Sequence, residues 1–320
     1  MAVKTAVPTE APGRSKLGAY ARLGKLSFFD FYLCVPLVWT ALPGALLWQA
    51  STWLTLTLFL AGQVGVVAAT VAFDDLTGVR DGSDARNYTP ETGALRDLSR
   101  KPLLSGVLTV REATRFAWGA AAWGVALWTV TAATAPHQPL WACVALLYVA
   151  LSSMQYSYGL KLSYRGGQEL LLVSSSGLVV LLPYALVSGR VTGLVVLESV
   201  LFGLWSILVS LYSNMNDIAG DRFAGRRNLA TMTGPRAYRS IIAALTLVEP
   251  GAVVAAVVLD VVPAWFLAIL TPLFLARAVQ VYKGVVRGEA LAARVLGIKC
   301  QRLGVVLLLA GNLLAVHVAR

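Results

Sequence analysis

Cysteine and histidine are nearly missing from this chain. Of its 320 residues, three are Cys and two are His. Cys34, Cys143 and Cys300 are scattered with no pair motif, which excludes a disulfide framework and a thiolate zinc site. His137 and His317 lie far apart, so neither a histidine metal centre nor a Ser-His-Asp triad has material to build from. Charge is scarce too, at 13% of residues, and acids are outnumbered 16 to 27 by bases, for a net charge of +11. The basic residues lie between long apolar runs. They therefore point to membrane orientation and an anionic substrate, and not to nucleic acid. What remains is hydrocarbon: 57% of residues are hydrophobic and the mean hydropathy is +0.69. That is too apolar for a soluble domain of this size.

A membrane-spanning helix needs about 20 mostly apolar residues. Nine spans are expected, at residues 27–48, 53–73, 112–134, 138–154, 169–189, 192–213, 239–259, 262–282 and 300–318. With this count, all of the 27 basic residues except Arg190 and Arg320 fall on one side of the membrane. A wrong count would scramble that asymmetry, so the N-terminus is expected in the cytoplasm. The connections on the basic side, at residues 74–111 and 214–238, are long. Those on the other side, such as 49–52 and 134–139, are short. Residues 1–15 lack an apolar core, so they do not form a signal peptide and are expected to be irregular. Residues 16–26 alternate bases with Leu17, Tyr20, Leu23 and Leu26 at helical spacing. This fits either an interfacial helix or a frayed lead-in to the first span. The expected fold is an all-α integral membrane protein. A cytoplasmic tail over residues 1–26 precedes a single nine-helix transmembrane catalytic domain over residues 27–320. Its acidic loops follow the second and sixth spans, suggesting a pseudo-repeat of four helices with the ninth appended.

The acids in those two loops are the candidate site. The first loop begins Phe73-Asp74-Asp75-Leu76-Thr77-Gly78-Val79-Arg80-Asp81-Gly82-Ser83-Asp84. The second begins Asn214-Met215-Asn216-Asp217-Ile218-Ala219-Gly220-Asp221-Arg222. Ionised carboxylates beside hydrocarbon are costly and mark function. Oxygen-only side chains suit a hard cation such as Mg²⁺, which completes its shell with waters and substrate phosphates. Asp217 and Asp221 are four apart, on one face if the sixth helix continues past the membrane. Asp74 and Asp81 are two turns apart, flanked by Asp75 and Asp84. Gly78 and Gly82 suggest that the helix breaks there. The competing readings are a turn-rich loop with Asp caps for the first motif and, for the second, a solvated helix end with Arg222, Arg226 and Arg227 as counter-charges.

The connection at residues 156–169 holds Lys161 and Arg165, which either bind phosphate oxygens or anchor helix ends. Residues 99–106 could close over the site in the same way. Glu198 and Glu249 lie inside spans and read as structural, as do Gln63 and Asn312.

These motifs resemble the UbiA superfamily of intramembrane prenyltransferases, nearest the branch that prenylates 1,4-dihydroxy-2-naphthoate. The likeness runs from about residue 25 to near the end of the chain. It is carried by Asp217-x-x-x-Asp221 with Gly225-Arg226-Arg227-Asn228-Leu229-Ala230, by residues 156–169, and by Lys101-Pro102-Leu103-Leu104-Ser105-Gly106. The first motif departs from the family pattern Asn-Asp-x-x-Asp-x-x-x-Asp. In one register Phe73 stands at the Asn and Thr77 at the middle Asp. In the next, Gly78 and Gly82 replace the later acids. Asn216 stands where the naphthoate branch often has Arg.

The resemblance implies nine helices around a central cavity, two Mg²⁺ ions, and an isoprenyl diphosphate whose tail lies in the bilayer. Asp74, Asp75, Asp81, Asp84, Asp217 and Asp221 are the expected metal ligands, all but Asp84 also counted as catalytic. Lys161, Arg165, Arg80, Arg222, Arg226, Tyr156 and Asn214 are expected to bind substrate. The allylic C–O bond ionises, and an aromatic or other electron-rich acceptor attacks the cation. Tyr32, Trp39, Tyr148, Tyr156 and Tyr212 are candidates to face that cation. The alternative is a terpene cyclase of the same superfamily, with no acceptor. A transporter fits less well, because no midplane ion pathway is evident. The expected location is a bacterial cell membrane, with the active site opening to the cytoplasm.

Overall fold

The computed structural model describes residues 15–88 and 98–318. The expected irregular tail lies, up to residue 14, outside them, as does Arg96. Every regular element among the described residues is helical. Helix α1 (Lys16–Leu23) is capped by Ser15, whose hydroxyl accepts from the Gly18 N–H. It turns Ala19 and Leu23 inward, stacks Tyr20 on Phe116, and joins Lys16 to Glu112 at 2.7 Å. It is a docked helix, not a frayed lead-in.

The first expected span is broken. A 3₁₀ turn (Phe29–Tyr32) leads into α2 (Cys34–Ala41), Pro43 interrupts, and α3 (Gly44–Leu47) follows. Helix α4 (Ala50–Asp81) is 32 residues long. At about 1.5 Å per residue that is about 48 Å, well beyond a hydrocarbon core of about 30 Å. The helix therefore carries the first acidic motif out of the apolar zone as helix. It runs through Gly78 and stops only at Gly82, which takes a left-handed φ of 77°. The expected break at Gly78 does not occur. That glycine serves packing instead, since a Cβ there would stand 2.7 Å from the Asp84 carboxyl. Helix α5 (Ser83–Asn87) folds back from the turn.

Helix α6 (Val110–Thr134) starts at a capping box between Thr109 and Glu112. It lies against α4 closely enough that a Cβ on Gly65 would meet the Gly124 backbone at 2.7 Å. Next come α7 (Leu140–Met154), α8 (Gln168–Ser188) and α9 (Gly193–Phe223). The 31 residues of α9 overrun the membrane as α4 does, so Asp217 and Asp221 sit on one helix face. The chain ends with α10 (Leu229–Met232), α11 (Pro235–Val258), α12 (Trp265–Val281) and α13 (Ala290–Asn312). The last two each run on into a π-helical turn.

Seven of these helices are long and apolar enough to cross a membrane, which makes this an integral membrane protein. The first and fourth expected spans coincide with shorter apolar helices, Phe29–Ala41 and Leu140–Met154.

Polar side chains inside the bundle pair with one another, as hydrocarbon demands. Glu249 accepts from Arg277 Nε at 3.0 Å and from the Trp205 indole. Arg277 Nη1 donates to Gln280 at 2.8 Å, and Gln280 donates to the Ala293 carbonyl at 3.0 Å. This chain of contacts ties α9, α11, α12 and the start of α13. Arg277 is 2% exposed, so it does not belong with the basic loop residues among which the charge count placed it. Asn312 donates to Glu198 at 2.6 Å and to Thr40 at 3.2 Å, and Gln63 donates to the Phe31 carbonyl at 2.7 Å. The two ends of the bundle differ. One gathers Trp39, Trp48 and Trp53 with His137 and His317; the other gathers the acidic motifs.

Candidate active site

The ends of α4 and α9 are brought together by Arg226, in the turn after α9. Its Nη2 donates to Asp74 Oδ1 at 3.3 Å, and its Nε lies 3.8 Å from Asp221 Oδ1. Asp74 also accepts from the Ser157 hydroxyl at 2.6 Å, and the Ser157 carbonyl accepts from Thr77 at 2.9 Å. The α7–α8 connection is thus stitched to the first motif. Asp221 accepts from Asn228 Nδ2 at 2.8 Å, and Asn228 caps α10. Glu169, at the start of α8, accepts from the Leu229 N–H at 2.9 Å and holds the same turn from the other side.

Asp75 and Asp84 share a different cation. Lys101 Nζ lies 2.7 Å from Asp75 and 2.8 Å from Asp84. Burial works against the ammonium, but the two carboxylates outweigh it and hold the Lys101 pKa well above its ordinary value. Asp81 accepts from the Tyr164 hydroxyl and from the Ser83 N–H. Burial raises the Tyr164 pKa, which keeps the phenol protonated as the donor.

Two cavities meet here. A polar cleft of about 140 Å³ is lined by Asp74, Asp84, Asp217, Asp221 and Asn214, together with Lys25, Arg100, Lys101, Arg226 and Arg294. An apolar cavity of about 250 Å³ runs inward past Tyr156 and Phe31 to Gln63, Trp128, Val179 and Phe202. Asp74 and Lys25 line both. An amphiphile could therefore place a polar head in the cleft and an apolar body between the helices.

The expected residues divide accordingly. Asp74, Asp84, Asp217, Asp221, Asn214 and Arg226 line the cleft, and Tyr156 lines the apolar cavity. Asp75 is buried behind Lys101, and Asp81 is taken up with Tyr164 and the α5 turn. Lys161, Arg165, Arg80 and Arg222 are exposed and are not among the residues that line the cleft. Lys161 instead lies 5.0 Å from the Tyr164 ring. Of the aromatic candidates, only Tyr156 lines the apolar cavity. Trp39 belongs to the tryptophan group at the far end, and Tyr212 packs against Gly284. Phe31, Trp128 and Phe202 supply the other ring surfaces. Nothing in their local sequence distinguishes them from packing residues. Lys25 and Arg294 read in sequence only as orientation charges, while Arg100 belongs to the 99–106 segment expected to close over the site.

The donor set fits Mg²⁺ arriving with a diphosphate. Among the described residues no three carboxylate, imidazole or thiolate groups converge as a ready-made metal shell. Mg²⁺ needs only one or two carboxylates when phosphates and waters complete the octahedron. Asp74, Asp217 and Asp221 face one cleft, and Asn214 Nδ2 is buried there with no hydrogen-bond partner among the described residues. That amide is a donor placed for an anionic oxygen.

Long apolar helices, an apolar cavity and a charge-dense cleft joined at one carboxylate define a polytopic membrane protein shaped to hold an amphiphile. The sequence profile of the UbiA prenyltransferase family matches residues 37–303, and the chain belongs to that family. No curated protein matches the sequence. Among solved structures, the fold is similar to a digeranylgeranylglyceryl phosphate synthase, with a TM-score of 0.63 at 14% identity, covering 93% of this chain and 98% of that one. A UbiA homologue from Aeropyrum pernix K1 gives 0.63 at 17% identity, with 90% and 96% covered. A UbiA homologue from Archaeoglobus fulgidus, solved with DMAPP and Mg²⁺, gives 0.60 at 14% identity, with 90% and 98% covered.

Proposed function

We propose that this chain is a Mg²⁺-dependent intramembrane prenyltransferase. It takes an isoprenyl diphosphate and alkylates an electron-rich, aromatic acceptor. The observation that carries the reading is the shared wall at Asp74 and Lys25, where the polar cleft opens into the apolar cavity. A diphosphate in the cleft then sets its allylic carbon at the mouth of the cavity, with the tail among the helices. The Archaeoglobus fulgidus relative, bound to DMAPP and Mg²⁺ and also to GPP and Mg²⁺, supports the substrate class.

Mg²⁺ bound at Asp74, Asp217 and Asp221 would draw negative charge from the departing diphosphate. Arg226 and Lys25 add fixed positive charge, and Asn214 donates to a phosphate oxygen. The allylic C–O bond breaks and the diphosphate leaves with the electron pair. The π-faces of Tyr156 and Phe31 attract the resulting carbocation and keep water from it. An acceptor carbon forms the new C–C bond and releases its proton to solvent through the cleft. The basic loops support an orientation with this cleft on the cytoplasmic side of a bacterial membrane, and the motifs support kinship with the naphthoate branch.

A cyclase is the second reading. The ring surfaces of Trp128 and Phe202 deep in the cavity favour it, since they suit a cation that migrates along its own chain. Purified protein with Mg²⁺ and geranyl, farnesyl or geranylgeranyl diphosphate separates the two. Products that form only with a dihydroxynaphthoate or similar acceptor support transfer. A terpene formed without acceptor supports cyclisation. Failure to release diphosphate from any of the three would overturn both.

A further inference from the structure

The carboxylates of the first motif are not equally open to the cleft. Asp75 is fully buried and Asp84 is 8% exposed, and between them lies the ammonium of Lys101, itself 6% exposed. Lys101 Nζ donates to Asp75 Oδ1 at 2.7 Å and to Asp84 Oδ1 and Oδ2 at 2.9 and 2.8 Å. An ammonium has three N–H donors and accepts nothing, so these contacts use its whole capacity. Gly78 makes the arrangement possible, because any Cβ there would press on the Asp84 carboxyl from 2.7 Å. That is the position of the missing middle acid in the register that begins at Asp75. The chain has lost a carboxylate where it has gained a folded-back Asp84 and a buried lysine.

Two carboxylates around one central cation is the geometry a bridging metal ion would take, and here the ion is part of the chain. Expelling Lys101 to admit a metal would cost its three charge-assisted hydrogen bonds and its own contact with the Tyr88 ring, 5.4 Å away. Asp74 is held by Ser157 and Arg226, and Asp217 and Asp221 face the cleft from α9.

We propose that Lys101 is a built-in counter-cation that occupies the Asp75–Asp84 pair, so that the site takes one divalent ion, held from the Asp217 and Asp221 side, and not the two that the family resemblance implies. The inference rests on the isoprenyl-diphosphate reading above. Lys101 is a positioning residue in this account: it fixes the first motif and contributes charge without touching the reacting atoms.

Counting bound metal tests it. Full-length protein in lipid nanodiscs is titrated with Mn²⁺ in the presence of farnesyl thiodiphosphate, a poorly ionising analogue, and free Mn²⁺ is read by electron paramagnetic resonance. One Mn²⁺ per chain is expected. Asp84→Asn should keep that count with affinity within about twofold, whereas Asp217→Asn should weaken Mn²⁺ at least about tenfold, the usual scale for loss of a metal contact. Lys101→Ala, where it folds, should admit a second Mn²⁺. Where it does not fold, the wild-type count and Asp84→Asn decide. Two Mn²⁺ in the wild type, a tenfold loss in Asp84→Asn, or a folded Lys101→Ala protein with one Mn²⁺ would overturn the proposal and leave the substrate reading standing. Binding of neither Mn²⁺ nor the analogue would overturn the substrate reading itself.

Discussion

Arg226 and Asp74 are 152 residues apart in sequence, and their side chains meet at 3.3 Å. The same guanidinium lies 3.8 Å from Asp221, so one side chain spans both acidic motifs. Arg226 is mostly buried, and its charge stands against Asp74 where the cleft opens into the apolar cavity. Lysine lacks the planar guanidinium fork that faces Asp74 with one nitrogen and Asp221 with another. Arg226→Lys should raise KM for the isoprenyl diphosphate or lower kcat by about tenfold or more. Lys161→Ala, on the exposed side of the α7–α8 connection, should change either by less than about threefold. Steady-state kinetics on matched preparations checks the contrast, and an equal loss in both variants would restore Lys161 to the site.

Asp217→Ala and Asp74→Ala should each lower turnover by about 10²–10³, the scale of losing a principal electrostatic group. Circular dichroism and thermal unfolding would establish that the variants fold. Near-wild-type diphosphate release from folded Asp217→Ala protein would remove the second motif from the chemistry.

Phe202 and Trp128, both nearly fully buried, line the apolar cavity at its end away from Asp74. Phe202→Ala removes a ring from that end. The ratio of kcat/KM for geranylgeranyl over geranyl diphosphate should rise by about tenfold, since each added buried methylene is worth about 0.8 kcal/mol. A ratio that stays constant would mean that the tail does not run toward Phe202.

Arg277 and Glu249 form a 3.0 Å ion pair inside the bundle. Arg277→Met leaves Glu249 buried without its charge partner and should destabilise the protein by about 3–5 kcal/mol. Glu249→Gln added to it should recover most of that loss. Thermal unfolding in one detergent, with kinetics per folded molecule, is the readout, and turnover per folded molecule should hold.

Topology is tested with single cysteines at Gln49 and Arg227, both exposed, in a background without Cys34, Cys143 and Cys300. A membrane-impermeant thiol reagent should reach Arg227→Cys only from the cytoplasmic side and Gln49→Cys only from the other. Labelling of both from one side would break the charge-based orientation.

Hydropathy runs, the basic loops and both acidic motifs are legible in the one-dimensional chain. Each depends on local composition: about 20 apolar residues span a bilayer whatever they pack against, and a carboxylate beside such a run is conspicuous wherever its partner lies. The helix spacing of Asp217 and Asp221 likewise follows from a 3.6-residue period once α9 continues through them. Which cation serves which carboxylate does not follow, because Lys101 with Asp75 and Asp84, and Arg226 with Asp74, are contacts between segments whose approach is set by helix packing. Gly78 shows the limit most directly. In sequence a glycine beside acids reads as a helix break, but in the folded protein it sits in unbroken helix and yields the space that Asp84 fills. The misplacement of Arg277 has the same origin, since a lone arginine near a span end looks like a loop charge until Glu249 on a neighbouring helix is brought beside it. Composition decided that this chain crosses a membrane and carries acid at one face. Tertiary packing decided which of those acids remain open to a ligand, because a buried charge is stable only beside the partner that the fold delivers.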